Sequence, residues 1–483
     1  MWRDSSVGSV RAIESNRRET FFVVSVIERD MADFDVLVIG GGTGNNVAAA
    51  AADAGLETAL VEPGPLGGTC LNRGCNPSKM LIQAANAVNH VRDAGKFHVD
   101  ATLDAVDHTA VVDEMDELLG GIAEDMEARY REKENLTLFK ERTEFVDERT
   151  VKLDGEAVTA EKVVVAAGSR PIVPPIDGLD DVEYLTSQDA LYLRETPESL
   201  VILGGGYIAV ELGYFFDAMG TDVTIVEMMD SLIPREDGDI AEAFTDIAAD
   251  RHEVYTGHRV TAVEEAGRGY AVHAETEAGD ETTVEGSEVL VALGRRPNSD
   301  TLNLETANID VDDRGFIETD EYLQTTAENV WAQGDIAGNA LFKHSGDYET
   351  RHTVANVVHG ESRAIDLSAM PHTIFTEPQI AGVGATEEDL DDEGTEYVVG
   401  RADYADSAMG RAKKLDHGFV KVLAAPDGEI LGAHAIGYEA STLLHEAVLA
   451  MRTGATVDDV AGAIHAHPTL SKVVESAFQD VPL

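Results

Sequence analysis

The chain has 483 residues, of which 90 are acidic and 36 are basic, and its formal net charge is −54 although 43% of the residues are hydrophobic. This length predicts roughly two to four domains with a large buried interior. Such a negative charge repels phosphate backbones and anionic lipid, which argues against nucleic-acid or membrane-surface binding, and it is tolerated mainly in concentrated salt. We therefore expect a halophilic, cytoplasmic protein.

Residues 1–32 show no clear periodicity, and Met31 stands directly before the first recognisable strand. We expect this segment to be a disordered extension or a start assigned too early. Its apolar run, Phe21–Ile27, is too short for a signal peptide, and no run in the chain approaches the roughly 18 apolar residues of a membrane span.

From Phe34 the sequence reads as a strand, a glycine-rich turn, an alanine-rich helix and a second strand, which predicts a βαβ unit with parallel strands. Gly40 permits the tight turn, and Gly42 lets the backbone approach a pyrophosphate at the helix N-terminus. The third position of the fingerprint is Asn45 rather than glycine, so either the helix shifts slightly or Asn45 donates a side-chain hydrogen bond. Glu62 follows the second strand and is placed to accept from ribose hydroxyls.

Both cysteines, Cys70 and Cys75, lie in the stretch GGTCLNRGCNPSKM with four residues between them, including Arg73. Two cysteines cannot form a disulfide framework in a chain of this size, so a close pair indicates redox or metal chemistry. Cys75 directly precedes an apolar helix, whose N-terminal dipole stabilises a thiolate.

A second strand–turn–helix–strand unit follows about 160 residues later, which implies a second dinucleotide site. Gly204, Gly206 and Ala209 occupy its three fingerprint positions, and Glu227 follows its second strand. A carboxylate there hydrogen-bonds a free 2′-hydroxyl and repels a 2′-phosphate, which favours NADH. Arg235 is the only nearby arginine, and a return of its loop toward the site would favour NADPH instead.

After about Ser368 the pattern changes to mixed strands and helices, so we predict an α/β protein with two doubly wound, Rossmann-like dinucleotide-binding domains and a C-terminal α+β domain. The motifs that follow the glycine turns resemble those of the class I pyridine nucleotide–disulfide oxidoreductases, in the family's order and from about Phe34 to the C-terminus. They are GGTCLNRGCNPSKM, AAGSRP, ALGRRPN, WAQGDIAG, FTEPQIAGVG and IHAHPTLS.

The resemblance implies that the first unit holds FAD, that the second holds NADH or NADPH, and that the last segment forms the interface of a homodimer. The expected domains are 33–182 (FAD, first part), 183–297 (NAD(P)H), 298–367 (return to the FAD domain) and 368–483 (dimerisation). The implied FAD residues are Gly40, Gly42, Gly44, Glu62, Gly68, Thr69, Lys79, Gly168 and Asp335. The implied NAD(P)H residues are Gly204, Gly206, Ala209, Glu227 and Gly294.

The resemblance also implies the catalytic roles. NAD(P)H reduces the flavin, and the flavin reduces a Cys70–Cys75 disulfide, with Cys75 as the thiolate beside the ring and Cys70 as the interchange thiol. Lys79 matches the family's lysine near the flavin, with Glu211 as its ion-pair partner. His467, directly before Pro-Thr, matches the acid/base histidine that reaches Cys70 of the other subunit. No metal site is expected.

Two positions depart from the family pattern. Lys472 stands where the family keeps the glutamate that orients the histidine, so that pairing is broken, or rebuilt from Glu475 or a backbone carbonyl. His465 is interpreted as structural. Arg73 replaces a residue that is usually apolar, and two cations next to catalytic positions, Arg73 and Lys472, favour an anionic substrate.

These features are most similar to mycothione reductases and to the haloarchaeal reductases of bis-γ-glutamylcystine, a small anionic disulfide. The main alternative is a dihydrolipoamide dehydrogenase that serves a 2-oxoacid dehydrogenase complex. A flavin-binding scaffold without turnover is a third interpretation, which the intact cysteine pair, lysine and histidine argue against.

Overall fold

The computed structural model describes residues 32–483, which form 22 strands and 14 α-helices. The strands are β1 Phe34–Ile39, β2 Thr58–Val61, β3 Leu136–Phe139, β4 Phe145–Asp147, β5 Thr150–Leu153, β6 Glu156–Val165, β7 Ser169–Pro171, β8 Leu185–Thr186, β9 Ser199–Leu203, β10 Asp222–Val226, β11 Glu253–Tyr255, β12 Arg259–Ala266, β13 Gly269–Glu275, β14 Glu281–Gly286, β15 Glu288–Val291, β16 Arg295–Pro297, β17 Val330–Ala332, β18 Pro371–Ile374, β19 Gln379–Gly384, β20 Val398–Asp403, β21 Phe419–Ala424 and β22 Ile430–Gly437. The helices are α1 Gly44–Asp53, α2 Gly68–Arg73, α3 Cys75–Arg92, α4 His108–Arg131, α5 Ser187–Leu191, α6 Tyr207–Met219, α7 Gly238–Ala249, α8 Lys343–Thr353, α9 Glu387–Glu393, α10 Ala408–Lys413, α11 Ala440–Leu443, α12 His445–Thr453, α13 Val457–Ala461 and α14 Ser471–Gln479.

The first sheet has the order β3-β2-β1-β6-β5-β4, with β17 also paired to β6. Its central strands β1, β2, β3, β6 and β17 run parallel, and Val38 stands opposite Leu60 on one side and Val164 on the other. These three side chains are fully buried, because α1 covers their face of the sheet. The carboxyl ends of β1 and β2 therefore open onto the turn that begins at Gly40.

The second unit has a parallel sheet in the order β11-β10-β9-β15-β8, flanked by the antiparallel sheet β12-β13-β14. Its helix α6 is apolar on nearly all sides and buries ten of its 13 residues. Helix α6 packs against α3 of the first unit, and both contribute to one hydrophobic cluster that includes Leu81, Ala85 and Phe215. This packing fixes the cysteine helix against the second dinucleotide unit.

The C-terminal sheet is antiparallel, in the order β18-β19-β22-β21-β20, and α14 packs on β20 and β21. At its junction with the second unit, the Lys421 side chain is 1% exposed. Its ammonium group donates to Asp237 at 2.8 Å, to Asp239 at 2.9 Å and to Glu387. Burial opposes the charged lysine, but these hydrogen bonds outweigh it and raise the pKa of Lys421 above its ordinary value.

This architecture confirms the predicted α/β class with two Rossmann-like units and a C-terminal α+β domain. The limits at 182, 297 and 367 remain predictions. Residues 1–31, which include most of the predicted extension, lie outside the described part of the chain. Among the described residues, no helix is both long and apolar enough to cross a membrane.

Candidate active site

The two cysteines stand at the junction of α2 and α3. Gly67 begins the segment with φ +98°, a left-handed conformation that favours glycine, and a Cβ there would approach Leu71 to 2.4 Å. Gly74 separates the two helices, so Cys70 lies within α2 and Cys75 is the first residue of α3. Both are thiols in this structure, Cys70 half-buried and Cys75 exposed.

The two thiols act on each other and shift their pKa values in opposite directions. A hydrogen bond from Cys70 lowers the pKa of Cys75 to about 7, with help from the Lys79 charge and against burial. The same hydrogen bond raises the pKa of Cys70 above its ordinary value. The charged side chains acting on Cys70 are Lys343, which lowers that pKa, and Asp347, which raises it.

Lys79 and Glu211 form the expected ion pair, with 2.6 Å between Nζ and Oε2. The Lys79 ammonium also lies 4.8 Å from the centre of the Phe375 ring, a cation–π contact. The second oxygen of Glu211 accepts the backbone N–H of Phe375 at 2.9 Å. One buried carboxylate therefore joins α3, α6 and the start of the C-terminal segment next to Cys75.

The first glycine turn is shaped for close backbone approach. Gly40 has φ +112°, and a Cβ there would stand 2.2 Å from the Ala166 carbonyl oxygen. A Cβ on Gly68 would stand 2.6 Å from the Gly42 Cα atom, so this second turn also requires glycine. The tight helix–strand contact is made by Gly44, because a Cβ there would meet Val38 at 2.8 Å.

The remaining polar groups around this turn are also held in place. Glu62 accepts the backbone N–H groups of Gly41 and Gly64, both at 2.7 Å. Asn45 donates to the Met126 sulfur at 3.3 Å, which is one of the two outcomes expected for that position. Thr69 lies half-buried within α2, between the glycine turn and Cys70.

Asp335 belongs to a buried network at the carboxyl end of β17. It accepts from the Ser169 hydroxyl at 2.5 Å, and its Oδ2 atom lies 3.8 Å from the Arg295 Nε atom. Arg295 also donates to both oxygens of Ser169, and burial lowers the pKa of this guanidinium. Gly168 and Gly294, with φ +68° and +113°, lead into the paired strands β7 and β16, which bring Ser169 and Arg295 together.

The second glycine turn repeats the first. Gly204 has φ +104°, and a Cβ there would stand 2.7 Å from Ala292 O, whereas a Cβ on Gly206 would meet no atom within 4 Å. Ala209 is fully buried within α6. The buried Glu227 accepts the backbone N–H of Gly205 at 2.5 Å.

Arg235 remains relevant to the choice between NADH and NADPH. It is exposed, and its charge acts on the hydroxyl of Tyr207, the first residue of α6. Glu227 stays at the carboxyl end of β10, and the choice between NADH and NADPH remains a prediction.

Both turns fit dinucleotides. The glycines leave the backbone N–H groups of both turns accessible to a ligand. In the first turn Gly42 lies close to Gly68, and in the second turn Gly206 faces open space; a Cβ at either place would occupy the room that a pyrophosphate needs. Gly40, Gly42, Gly68 and Glu62 would hold the ADP part of FAD, with Lys79 and Asp335 at the flavin side. Gly204, Gly206 and Glu227 would hold NAD(P)H.

The structure corrects the hypothesis that Glu475 orients His467. Glu475 pairs with Lys472, one helical turn away on α14, and its other oxygen lies 3.7 Å from the Nδ1 atom of His465. His465 also bonds Glu446, at 2.6 Å. His467 precedes α14, is exposed, and makes no side-chain hydrogen bond to residues 32–483 of the same chain. The i, i+3 spacing of Lys472 and Glu475 explains this preference.

Arg73 and Lys472 are not the main charges acting on either thiol. The cations that act on them are Lys343, on Cys70, and Lys79, on Cys75. The Lys472 ammonium is neutralised by Glu475. Arg73 is exposed on the far end of α2 and points toward Gly64. Their predicted role in binding an anionic substrate involves the partner subunit and stays a prediction.

Sequence reasoning missed four residues around the site: Phe375, Arg295 and Glu349, which contact it, and Lys343, whose charge acts on Cys70. Glu349 is fully buried and accepts the backbone N–H of Gly334 at 2.5 Å; burial raises its pKa to about 7. Arg295 and Phe375 lie in motifs already noted, ALGRRPN and FTEPQIAGVG, so these motifs could have indicated both residues. Lys343 and Glu349 lie on α8, where no motif drew attention to them.

Comparison with known proteins identifies the family. Residues 34–363 match the pyridine nucleotide-disulphide oxidoreductase model, and residues 370–478 match the dimerisation domain of the same group. The chain is similar to a dihydrolipoyl dehydrogenase of Halobacterium salinarum, with 39% identity over 92% of this chain and 95% of that protein. It is also similar to a mycothione reductase of Mycobacterium tuberculosis, with 37% identity over 93% and 99% of the two chains.

A solved structure agrees with this assignment. The HOCl-induced flavoprotein disulfide reductase RclA from Escherichia coli superposes with a TM-score of 0.82 at 27% identity, covering 92% of this chain and 99% of that one. The family model, the relatives and the two glycine turns converge on one conclusion. The chain is an enzyme that uses FAD and NAD(P)H and belongs to the pyridine nucleotide–disulfide oxidoreductase family.

Proposed function

We propose that this enzyme reduces the disulfide of a small anionic thiol with NAD(P)H, and that bis-γ-glutamylcystine is its substrate. The observation that carries the proposal is the Cys70–Cys75 pair, in which Cys75 has a pKa of about 7 and lies beside the Lys79–Glu211 ion pair. When bound, FAD supplies the transfer of an electron pair from NAD(P)H to the cysteine disulfide.

The protein's own residues carry out the exchange. The Cys70 thiolate attacks one substrate sulfur, which forms a mixed disulfide and releases the first thiol. Cys75 then attacks the Cys70 sulfur, releasing the second thiol and restoring the Cys70–Cys75 disulfide. In the homodimer we propose, His467 of the partner subunit takes the proton of the Cys70 thiol before the attack and passes it to the leaving thiolate. Each turnover converts one disulfide, one NAD(P)H and one proton into two thiols and NAD(P)⁺.

The anionic character of the substrate is supported by Lys343. Its charge lowers the pKa of Cys70, and its side chain is 34% exposed. Asp347 pairs with this lysine in the thiol form and competes with a substrate carboxylate for it. A disulfide whose carboxylates displace Asp347 gains a charge-assisted contact next to the reacting sulfur.

The second candidate function is dihydrolipoamide oxidation. It is favoured by the 39% identity to the Halobacterium salinarum dihydrolipoyl dehydrogenase, which exceeds the 37% identity to mycothione reductase. The same cysteines, lysine and histidine serve this reaction in the opposite direction. The two candidates differ in the charge of the group beside the sulfurs, because lipoamide is uncharged there.

Steady-state assays in molar salt distinguish the two. Purified enzyme is assayed with bis-γ-glutamylcystine, oxidised glutathione and lipoamide, each with NADH and with NADPH, and with dihydrolipoamide plus NAD⁺. We expect the highest kcat/KM with bis-γ-glutamylcystine. A clearly higher kcat/KM with dihydrolipoamide would refute the proposed substrate and support the second candidate. The Cys75→Ala variant controls for flavin-only reactions and should not reduce any disulfide.

The contribution of charge is tested with lipoate and lipoamide, which differ by one carboxylate. Lys343→Met should raise the KM for lipoate and for bis-γ-glutamylcystine several-fold and leave the KM for lipoamide unchanged. Equal effects on lipoate and lipoamide would show that Lys343 acts on the thiol rather than on the substrate.

A further inference from the structure

Arg73 occupies a place that suits neither the substrate nor the cysteines. It is the last residue of α2, and its side chain runs away from Cys70 toward the loop that follows Glu62. A Cβ built on Gly64 would stand 3.1 Å from the Arg73 Nη2 atom and 3.2 Å from the Glu62 Oε1 atom. The guanidinium and the Glu62 carboxylate are therefore neighbours across Gly64, which leaves room for both because it has no side chain.

The surroundings of Arg73 disfavour an anionic substrate on its outer side. An open groove of about 750 Å³ runs along that side of α2, and its lining includes two arginines, Arg73 and Arg194, together with four carboxylates. They belong to Asp116, Glu124, Glu127 and Asp189. Such a groove repels a disulfide that carries carboxylates.

On its inner side Arg73 faces the place of the cofactor's adenosine. Glu62 ends β2 in the position that accepts ribose hydroxyls, and it is fixed there by two backbone N–H groups. A second cation, Lys140, approaches the same loop from the end of β3 and donates to the Gly64 carbonyl. Two cations thus flank Gly64 next to the ribose carboxylate.

Arg73 also lacks a competing partner. Among residues 32–483 it forms no ion pair, in a chain with 90 acidic residues, whereas Lys140 is paired with Glu127 at 3.0 Å. A planar guanidinium stacks on an aromatic ring and donates in its own plane, so it suits a purine base with an adjoining ribose.

We propose that Arg73 binds the adenosine end of FAD, as a cofactor-positioning residue that the family's usual apolar residue does not provide. This inference rests on the assignment of FAD to the first unit and is independent of which disulfide is reduced. It replaces the role in substrate binding that the sequence suggested for Arg73.

The test compares FAD with FMN, which lacks the adenosine end. The full-length protein is stripped of flavin and titrated with each, following flavin fluorescence, and FAD release from the holoenzyme is measured on heating. Arg73→Met should raise the Kd for FAD about tenfold, a loss of about 1.4 kcal/mol, and leave FMN binding unchanged. Arg73→Lys keeps the charge but lacks the planar guanidinium, so its Kd for FAD should lie between those of the unsubstituted protein and Arg73→Met.

The matched control is Arg268→Met, which removes the same charge from the exposed turn between β12 and β13. It should bind both flavins as the unsubstituted protein does. The proposal is overturned if Arg73→Met keeps its affinity for FAD, or if FAD and FMN weaken equally. A raised KM for bis-γ-glutamylcystine with unchanged FAD binding would overturn the proposal and support a role of Arg73 in substrate binding. Failure of disulfide reduction with FAD affinity altered as expected would affect only the proposed function.

Discussion

Replacing Cys70 tests the hydrogen bond that distinguishes the two thiols. The hydrogen bond from Cys70 is the largest influence lowering the pKa of Cys75 to about 7 from an ordinary value of 9.0. Cys70→Ala removes this donor while Lys79 remains, so we expect the pKa of Cys75 to rise by about one to two units. At neutral pH the thiolate fraction should then fall from about one half to between about one tenth and one hundredth.

The assay is the long-wavelength absorption that a thiolate gives beside oxidised flavin, titrated against pH. Because the pKa of Cys75 is lowered, the band should be present above neutral pH and vanish as pH falls through about 7. In Cys70→Ala the midpoint should move to higher pH. Cys70→Ser is the control, since its hydroxyl still donates and should hold the midpoint close to the original. Identical midpoints for the alanine and serine variants would refute the reasoning.

Three further predictions concern the turns and ion pairs. Gly206→Ala should fold normally, because its Cβ would meet no atom within 4 Å, but it should weaken NADH binding at least about tenfold, measured by titration. Gly204→Ala, at φ +104°, should instead lower the free energy of unfolding by more than about 1 kcal/mol. Equal stabilities of the two variants would contradict this contrast. Lys421→Met should cost about 3–5 kcal/mol in denaturant unfolding, because it leaves the buried Asp237 carboxylate uncompensated, and a neutral result would show that this carboxylate takes up a proton. Lys472→Met should lower the free energy of unfolding by only about 1 kcal/mol, since its ion pair is partly exposed. FAD binding should be unchanged, which serves as the control. A loss of stability as large as that of Lys421→Met would contradict this prediction.

The sequence predicted the fold class because its signals are local. Glycines at fixed spacing after an apolar strand, and an acidic residue after the next strand, each report on one turn. Gly40 and Gly204 have the positive φ values that such turns require. The ion pair between Lys79 and Glu211 was also expected, although 132 positions separate the two residues, because the family resemblance placed both near the flavin.

The site residues that sequence reasoning missed or misplaced depend on side-chain direction. Lys472 and Arg73 were grouped because each lies next to a catalytic position in sequence. Lys472 pairs with Glu475 one helical turn away, whereas Arg73 runs from the end of α2 toward Gly64 and forms no ion pair with residues 32–483. Spacing along a chain does not specify which way a terminal helical residue points, so only the packed structure could separate them.

Lys343 is a residue whose role sequence reasoning missed altogether. It lies 273 positions after Cys70 and acts on that thiol because α8 begins where the chain returns to the first unit. No local pattern marks such a residue, since its importance arises from tertiary contact alone.

The carboxylate of Glu211 has a consequence for motion. It links Lys79 on the cysteine helix, its own helix in the second unit and the Phe375 backbone at the entrance to the C-terminal domain. Any hinge movement that opened the second unit would have to break the contact that lies beside Cys75. The redox centre is therefore coupled to the packing of the three domains, and a shift in the absorption of its thiolate would report interdomain opening before unfolding began.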